Sequence, residues 1–77
     1  MSKFIIITRD NCDWCVKAKD LLTKKGYKYA ERNVADPLFG NEYKKKLKDN
    51  GLTTVPQVWH NDVYVGGYTQ LKEYLEL

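Results

Sequence analysis

The run Phe4-Ile5-Ile6-Ile7, bounded by Lys3 and Thr8, constrains the fold more than any other stretch of the chain. Four consecutive apolar residues, mostly β-branched, show no alternation, so residues 3–8 read as a strand buried on both faces. Such a strand needs a covering layer on each side of its sheet, as in the first strand of a βαβ unit. At 77 residues the chain has room for one core, because a second would leave each half too small to hold together. Hydrophobic residues at 43% and charged residues at 30% fit a single globular domain over residues 1–77 and exclude a disordered segment.

Asp10 and Asn11 signal a turn after that strand. Over residues 13–25, Cys15, Ala18 and Leu22 recur at helical spacing with Val16 and Leu21 alongside, and Gly26 follows two lysines as a stop. Residues 27–33 alternate like a second strand. Asp36-Pro37 supplies an N-cap and a proline for the first helical position, so a second helix is expected to begin there. Phe39, Tyr43 and Leu47 give it a buried stripe, and Asn50-Gly51 ends it. Val58-Trp59-His60 and Val63-Tyr64-Val65 flank an Asn61-Asp62 turn and form a hairpin. Gly66-Gly67 breaks the chain, Thr69 is the expected cap, and Leu71, Tyr74 and Leu75 make the apolar face of a last short helix. The order β-α-β-α-β-β-α is that of an α/β protein. Strands one and two are parallel, strands three and four antiparallel, and three helices flank a mixed four-stranded sheet.

Thirteen basic against ten acidic side chains leave +3, and the runs Lys24-Lys25 and Lys44-Lys45-Lys46 read as solvated helix faces rather than a nucleic-acid surface. The longest apolar run is far short of a membrane span and has no basic start of a signal peptide before it. Two cysteines spaced C-x-x-C make a poor staple, since so short a loop gains little from cross-linking. A monomer in a reducing cytoplasm, binding neither nucleic acid nor membrane, is the expectation.

Cys12 stands where strand one hands over to helix one, so N–H groups of the first turn and the helix dipole favour its thiolate. The thiolate is the nucleophile, and lowering its pKa from about 8.5 toward neutrality makes a minor species a major one. Cys15 lies one turn deeper on the same face, placed to attack a mixed disulfide at Cys12. A bare C-x-x-C also begins zinc sites, although only His60 remains as a further histidine or cysteine ligand, and a packed inert pair fits the spacing too. Thr54-Val55-Pro56 adds a proline where strand three should begin pairing, which costs a backbone donor and marks a special loop.

With Cys12-Asp13-Trp14-Cys15, Thr54-Val55-Pro56 and Gly66-Gly67 in this order, the chain resembles the glutaredoxins over essentially its whole length. The stretches 54–58 and 66–71 are most similar to the compact glutaredoxins encoded by bacteriophages. The resemblance implies a thioredoxin-like fold, with the host cytoplasm as location for a phage protein. It implies a dithiol enzyme that reduces protein disulfides or glutathione mixed disulfides, Cys12 attacking, Cys15 resolving and glutathione acting as co-substrate. No bound cofactor or metal is implied. It makes Val55-Pro56 a cis bond that aims the Val55 backbone across the cleft toward Cys12, where Thr54, Val55 and Pro56 receive an extended cysteinyl peptide. Arg9 takes the place of the basic residue that binds the glycyl carboxylate, or else rests near Asp10 or Asp13. The N–H groups of Tyr68, Thr69 and Gln70, after Gly67, receive the γ-glutamyl carboxylate. Trp14 covers the mixed disulfide or packs on the surface, and Tyr68 lines the cleft or staples the last helix. Trp59, His60 and the other tyrosines are assigned to core or hairpin.

Two positions depart from the family pattern. Asp13 replaces a common proline and puts a negative charge beside the attacking sulfur, so a less acidic thiol is expected than in a proline-containing relative. Gln70 replaces a common aspartate that pairs with the glutathione amino group, so weaker glutathione binding is expected. Disulfide-containing client proteins, with ribonucleotide reductase as one by family analogy, follow from the leading reading. Its rivals are a redoxin recharged by thioredoxin reductase and a non-catalytic thioredoxin-fold binding module.

Overall fold

The computed structural model describes residues 3–76. Its elements are β1 (Phe4–Thr8), α1 (Asp13–Lys24), β2 (Tyr29–Asn33), α2 (Gly40–Asp49), β3 (Gln57–His60), β4 (Val63–Gly66) and α3 (Tyr68–Glu76). The sheet order is β2-β1-β3-β4. β1 runs parallel to β2 with Ile6 opposite Glu31, and antiparallel to β3 with Ile6 opposite Val58. β3 and β4 are antiparallel, joined by Asn61 and Asp62, both at positive φ, the backbone of a tight twisted hairpin turn. All five residues of β1 are buried, as expected of a central strand covered on both faces.

Phe4, Ile6 and Val58 share one face of the sheet and pack with Ala18 and Leu22 of α1 and Leu71 of α3. The buried residues of α1 are Cys15, Ala18 and Leu22, at the predicted spacing, whereas Val16 points into solvent. His60 stacks on Phe4 at 4.1 Å between ring centres, and its Nδ1 lies 2.6 Å from the Tyr74 hydroxyl, which ties α3 to the sheet.

α2 covers the opposite face, and it departs from expectation in three respects. Asp36 does cap, its Oδ1 accepting from the N–H groups of Leu38 and Phe39 at 2.8 and 2.9 Å, but residues 37–39 form only a turn and the α-helix begins at Gly40. There the chain presses against β2's exit, and a Cβ on Gly40 would collide with the Val34 carbonyl oxygen. Phe39, ahead of the helix, is 48% exposed, so the buried stripe shrinks to the half-buried Tyr43 and Leu47. The third concerns the lysine run, which is exposed throughout as expected but also serves as cover. Lys45 pairs outward with Asp49, but Lys46 Nζ sits 4.6 Å from the Trp59 ring centre and screens that residue from water. At the far end Gly51, at φ +68°, closes the helix, with Leu52 N–H reaching the Leu47 carbonyl at 2.8 Å. That reversal sends the chain back toward the 54–56 loop.

Candidate active site

β1 ends by passing Thr8 and Arg9 into a turn whose apex, Asn11, has φ +54°, a conformation asparagine tolerates. Two bonds hold the turn to β2: Val34 N–H donates to the Thr8 carbonyl at 2.9 Å, and Asn33 Nδ2 donates to Asp10 Oδ1 at 3.0 Å. The turn delivers Cys12 as the N-cap of α1. Its extended backbone (φ −124°, ψ 101°) aims Sγ at the first helical turn, where it accepts the Cys15 N–H at 3.1 Å. A sulfur in that position replaces the usual oxygen cap, and the arrangement stabilises negative charge on it. Cys12 and Cys15 are joined as a disulfide, with Cys12 8% exposed at the rim and Cys15 1% exposed behind it.

The 54–56 loop faces this sulfur. Val55-Pro56 is cis, and the Val55 carbonyl oxygen lies 3.9 Å from Cys12 Sγ. Pro56 precedes β3 directly, so its missing N–H falls before strand pairing begins. A relay braces the loop: Tyr64 Oη donates to Gln57 Oε1 at 2.6 Å, and Gln57 Nε2 donates to the Thr54 carbonyl at 3.0 Å and to Thr54 Oγ1 at 3.2 Å. Neither Gln57 nor Tyr64 was singled out from the sequence. The available signal was a glutamine next to proline at the start of an otherwise apolar strand, where a buried amide must find partners.

Two cavities flank the loop and share Thr54 and Val55. One, about 190 Å³, is bounded by Trp14, Pro56 and residues 67–70, which brings Gly67, Tyr68, Thr69 and Gln70 beside the loop. Trp14, 54% exposed, leans toward Tyr68 with ring centres 5.4 Å apart, and Lys17 Nζ lies 4.4 Å from its indole. Arg9 belongs to the other cavity, about 420 Å³, on the α2 side of the loop. The candidate binding residues therefore divide into two groups with Val55 between them.

The last helix is capped differently from expectation. Gly67, not Thr69, is its N-cap, since its carbonyl accepts the first helical bond, from Leu71 N–H at 2.9 Å. Gln70 reaches back so that its Oε1 accepts the Gly67 N–H at 3.0 Å, half of a capping box. The first-turn N–H groups of Tyr68, Thr69 and Gln70 have no helical acceptor of their own. Among the described residues no cluster of three or more histidine, cysteine, aspartate or glutamate side chains could hold a metal ion.

The Glutaredoxin family model matches residues 4–65. The chain belongs to the glutaredoxin family. Glutaredoxin 1 of Rickettsia felis is 42% identical over 65 residues, 82% of this chain but 62% of that protein, so the match spans less than two thirds of its length. Glutaredoxin 3 of Escherichia coli K12 is 36% identical over 73 residues, 92% of this chain and 83% of that one. The crystal structure of glutaredoxin 1 from Francisella tularensis superposes with a TM-score of 0.80 at 27% identity, covering 99% of this chain and 94% of the other. The mixed sheet and three helices are thus the thioredoxin-like fold of glutaredoxins, and Cys12-Asp13-Trp14-Cys15 is the redox-active motif of this glutaredoxin.

Proposed function

We propose that this glutaredoxin is a dithiol thiol-disulfide oxidoreductase whose reduced form is restored by glutathione. The Cys12 thiolate attacks a disulfide, one client sulfur leaves as a thiol, and Cys15 then attacks Cys12 to release the second. Arg9 receives the glycyl carboxylate of glutathione, the Val55 backbone pairs with its cysteine, and the α3 N-terminus receives its γ-glutamyl carboxylate. Trp14 and Tyr68 wall the γ-glutamyl side. The observation that carries this reading is the contact between Cys12 Sγ, which caps α1, and the carbonyl of Val55, the residue that borders both of the cavities suited to the two ends of a short peptide. Protein disulfides in the cytoplasm are the proposed clients, ribonucleotide reductase among them by family analogy.

Gln70 favours a second reading. Its amide oxygen is already engaged by Gly67 N–H and carries no charge, so it offers the glutathione ammonium little, and recharging by thioredoxin reductase becomes the rival. Turnover of a small mixed disulfide with NADPH, run once with glutathione and glutathione reductase and once with thioredoxin reductase, separates the two. Activity abolished in Cys12→Ser and partly kept in Cys15→Ser is expected, and activity surviving Cys12→Ser sinks both readings.

A further inference from the structure

The cavity on the α2 side is about 420 Å³, against about 190 Å³ for its neighbour, although the glutathione reading asks it to hold only a glycyl carboxylate. Arg9, Lys44 and Lys48 all border it and no acidic side chain does. Lys44 and Lys48 stand one turn apart on α2, on either side of Leu47 in the sequence, so both project along one helix edge. Among the described residues none of these three cations has an ion-pair partner, and Asp49, near the end of α2, is taken by Lys45. Val34, Leu47 and Leu52 supply an apolar floor. One carboxylate on Arg9 leaves two cations unmatched.

We propose that this groove docks an acidic, extended segment of a client protein, running on from the cysteine bonded to Cys12. The inference rests on the oxidoreductase reading and names the client chemistry that reading leaves open. A chain paired with the Val55 backbone must leave it in two directions, and the shared Thr54-Val55 wall makes this groove one of them. Apolar stems would cover Leu47 and Leu52 while carboxylates meet Lys44 and Lys48. A phosphate polyanion would match the charges but not the floor. Exposed ion pairs each alter affinity or encounter by roughly 1.4- to 5-fold, so two acidic residues should favour reduction by about tenfold.

The test uses the full-length, pre-reduced protein and symmetric disulfides of short cysteine peptides that differ only in two residues following the cysteine: both Asp, both Ser or both Lys. Each turnover oxidises the Cys12/Cys15 dithiol and yields two peptide thiols, so rates need no recycling system. We expect the Asp peptide to react about tenfold faster than the Ser peptide at low salt, with the gap closing near 1 M salt, where screening is within about 3 Å. In the Lys44→Gln/Lys48→Gln double variant the Asp preference should fall to within twofold, with reduction of hydroxyethyl disulfide unchanged. Lys24→Gln/Lys25→Gln, an equal charge change at the far end of α1, should keep the preference. Equal rates for all three peptides, or a preference that survives Lys44→Gln/Lys48→Gln, overturns the groove while hydroxyethyl disulfide is still reduced. Failure of the wild type to reduce hydroxyethyl disulfide overturns the oxidoreductase reading and the groove with it.

Discussion

On one face of the sheet α1 and α3 hold Phe4, Ile6, Ala18, Leu22, Val58 and Leu71 almost wholly out of water, whereas the only fully buried residue of α2 on the other face is Gly40, which has no side chain. The α2 face is closed instead by cations over aromatic rings, Lys46 over Trp59 and Arg32 over Tyr43, the latter pair 5.6 Å apart. The first helix carries Cys15 and is capped by Cys12, and the second carries Lys44 and Lys48. A nucleophile must be held at a fixed distance from the loop it faces, and close packing supplies that. A charged docking edge tolerates a looser seat, because Coulomb attraction falls off slowly with distance.

The sharpest way to break this contrast is to cut equal side chains from the two faces. Leu22→Ala removes a fully buried side chain and should cost about 3 kcal/mol, within the 2 to 5 range for core leucines. Leu47→Ala, half-buried on α2, should cost about 1 kcal/mol. Urea unfolding with unchanged slope measures both. Equal losses would mean that the second face is as closely packed as the first.

If the redox end of α1 is rigid, its chemistry can be retuned without disturbing the fold. Asp13 is the first residue of the helix, a position proline also occupies readily. A carboxylate about 6 Å from a thiolate opposes it by roughly 0.7 kcal/mol in water and about 2.8 at an effective dielectric of 20. Asp13→Pro should therefore lower the Cys12 thiol pKa by about half to two units while leaving the melting temperature within a few degrees. Ultraviolet thiolate titration of the reduced protein reads the first quantity, and no downward shift defeats the charge argument.

The same contrast accounts for what was legible beforehand. β1 was readable because an unbroken apolar run marks a strand buried on both faces, α1 because Cys15, Ala18 and Leu22 keep helical spacing, and the hairpin because Asn61-Asp62 suits a tight turn between two strands. The first turn of α2 was misread since Asp36-Pro37 is a genuine cap signal, satisfied locally by a turn, while the contact that sets the true start is Gly40 against the Val34 backbone, a tertiary approach no local pattern contains. The cysteines, the proline loop and the glycine pair were visible as motifs. The supports behind them, Asn33 on Asp10 and Tyr64 through Gln57 on Thr54, depend on strand register and were not.

A smaller effect probes the cover of the second face directly. Lys46→Met keeps the aliphatic stem over Trp59 and removes only the charge, so it should cost about 0.5 to 1 kcal/mol at low salt and less at high salt. A salt-independent loss of the same size would assign the cover to the stem alone. Either result leaves the cysteine chemistry untouched, because Lys46 borders neither cavity.

The weakest expected effect lies at the rim of the well-packed face. Burial pushes the Glu31 carboxyl up, but the Thr8 hydroxyl at 2.7 Å and Lys19 at 3.1 Å outweigh it and hold the group below the usual glutamate range. A carboxyl depressed on folding contributes stability above its unfolded pKa, about 4.3, and loses that contribution as pH falls through the folded value. With Glu31 and Lys19 both partly in solvent, the contribution is a few tenths of a kcal/mol. Glu31→Gln should thus be slightly less stable than wild type at pH 7 and converge with it once pH has fallen well below the carboxyl's depressed folded pKa. Thr8, fully buried and one residue before Arg9, keeps its hydroxyl partner in the Gln variant, so a gap that persisted at low pH would trace to packing around Thr8 rather than to charge.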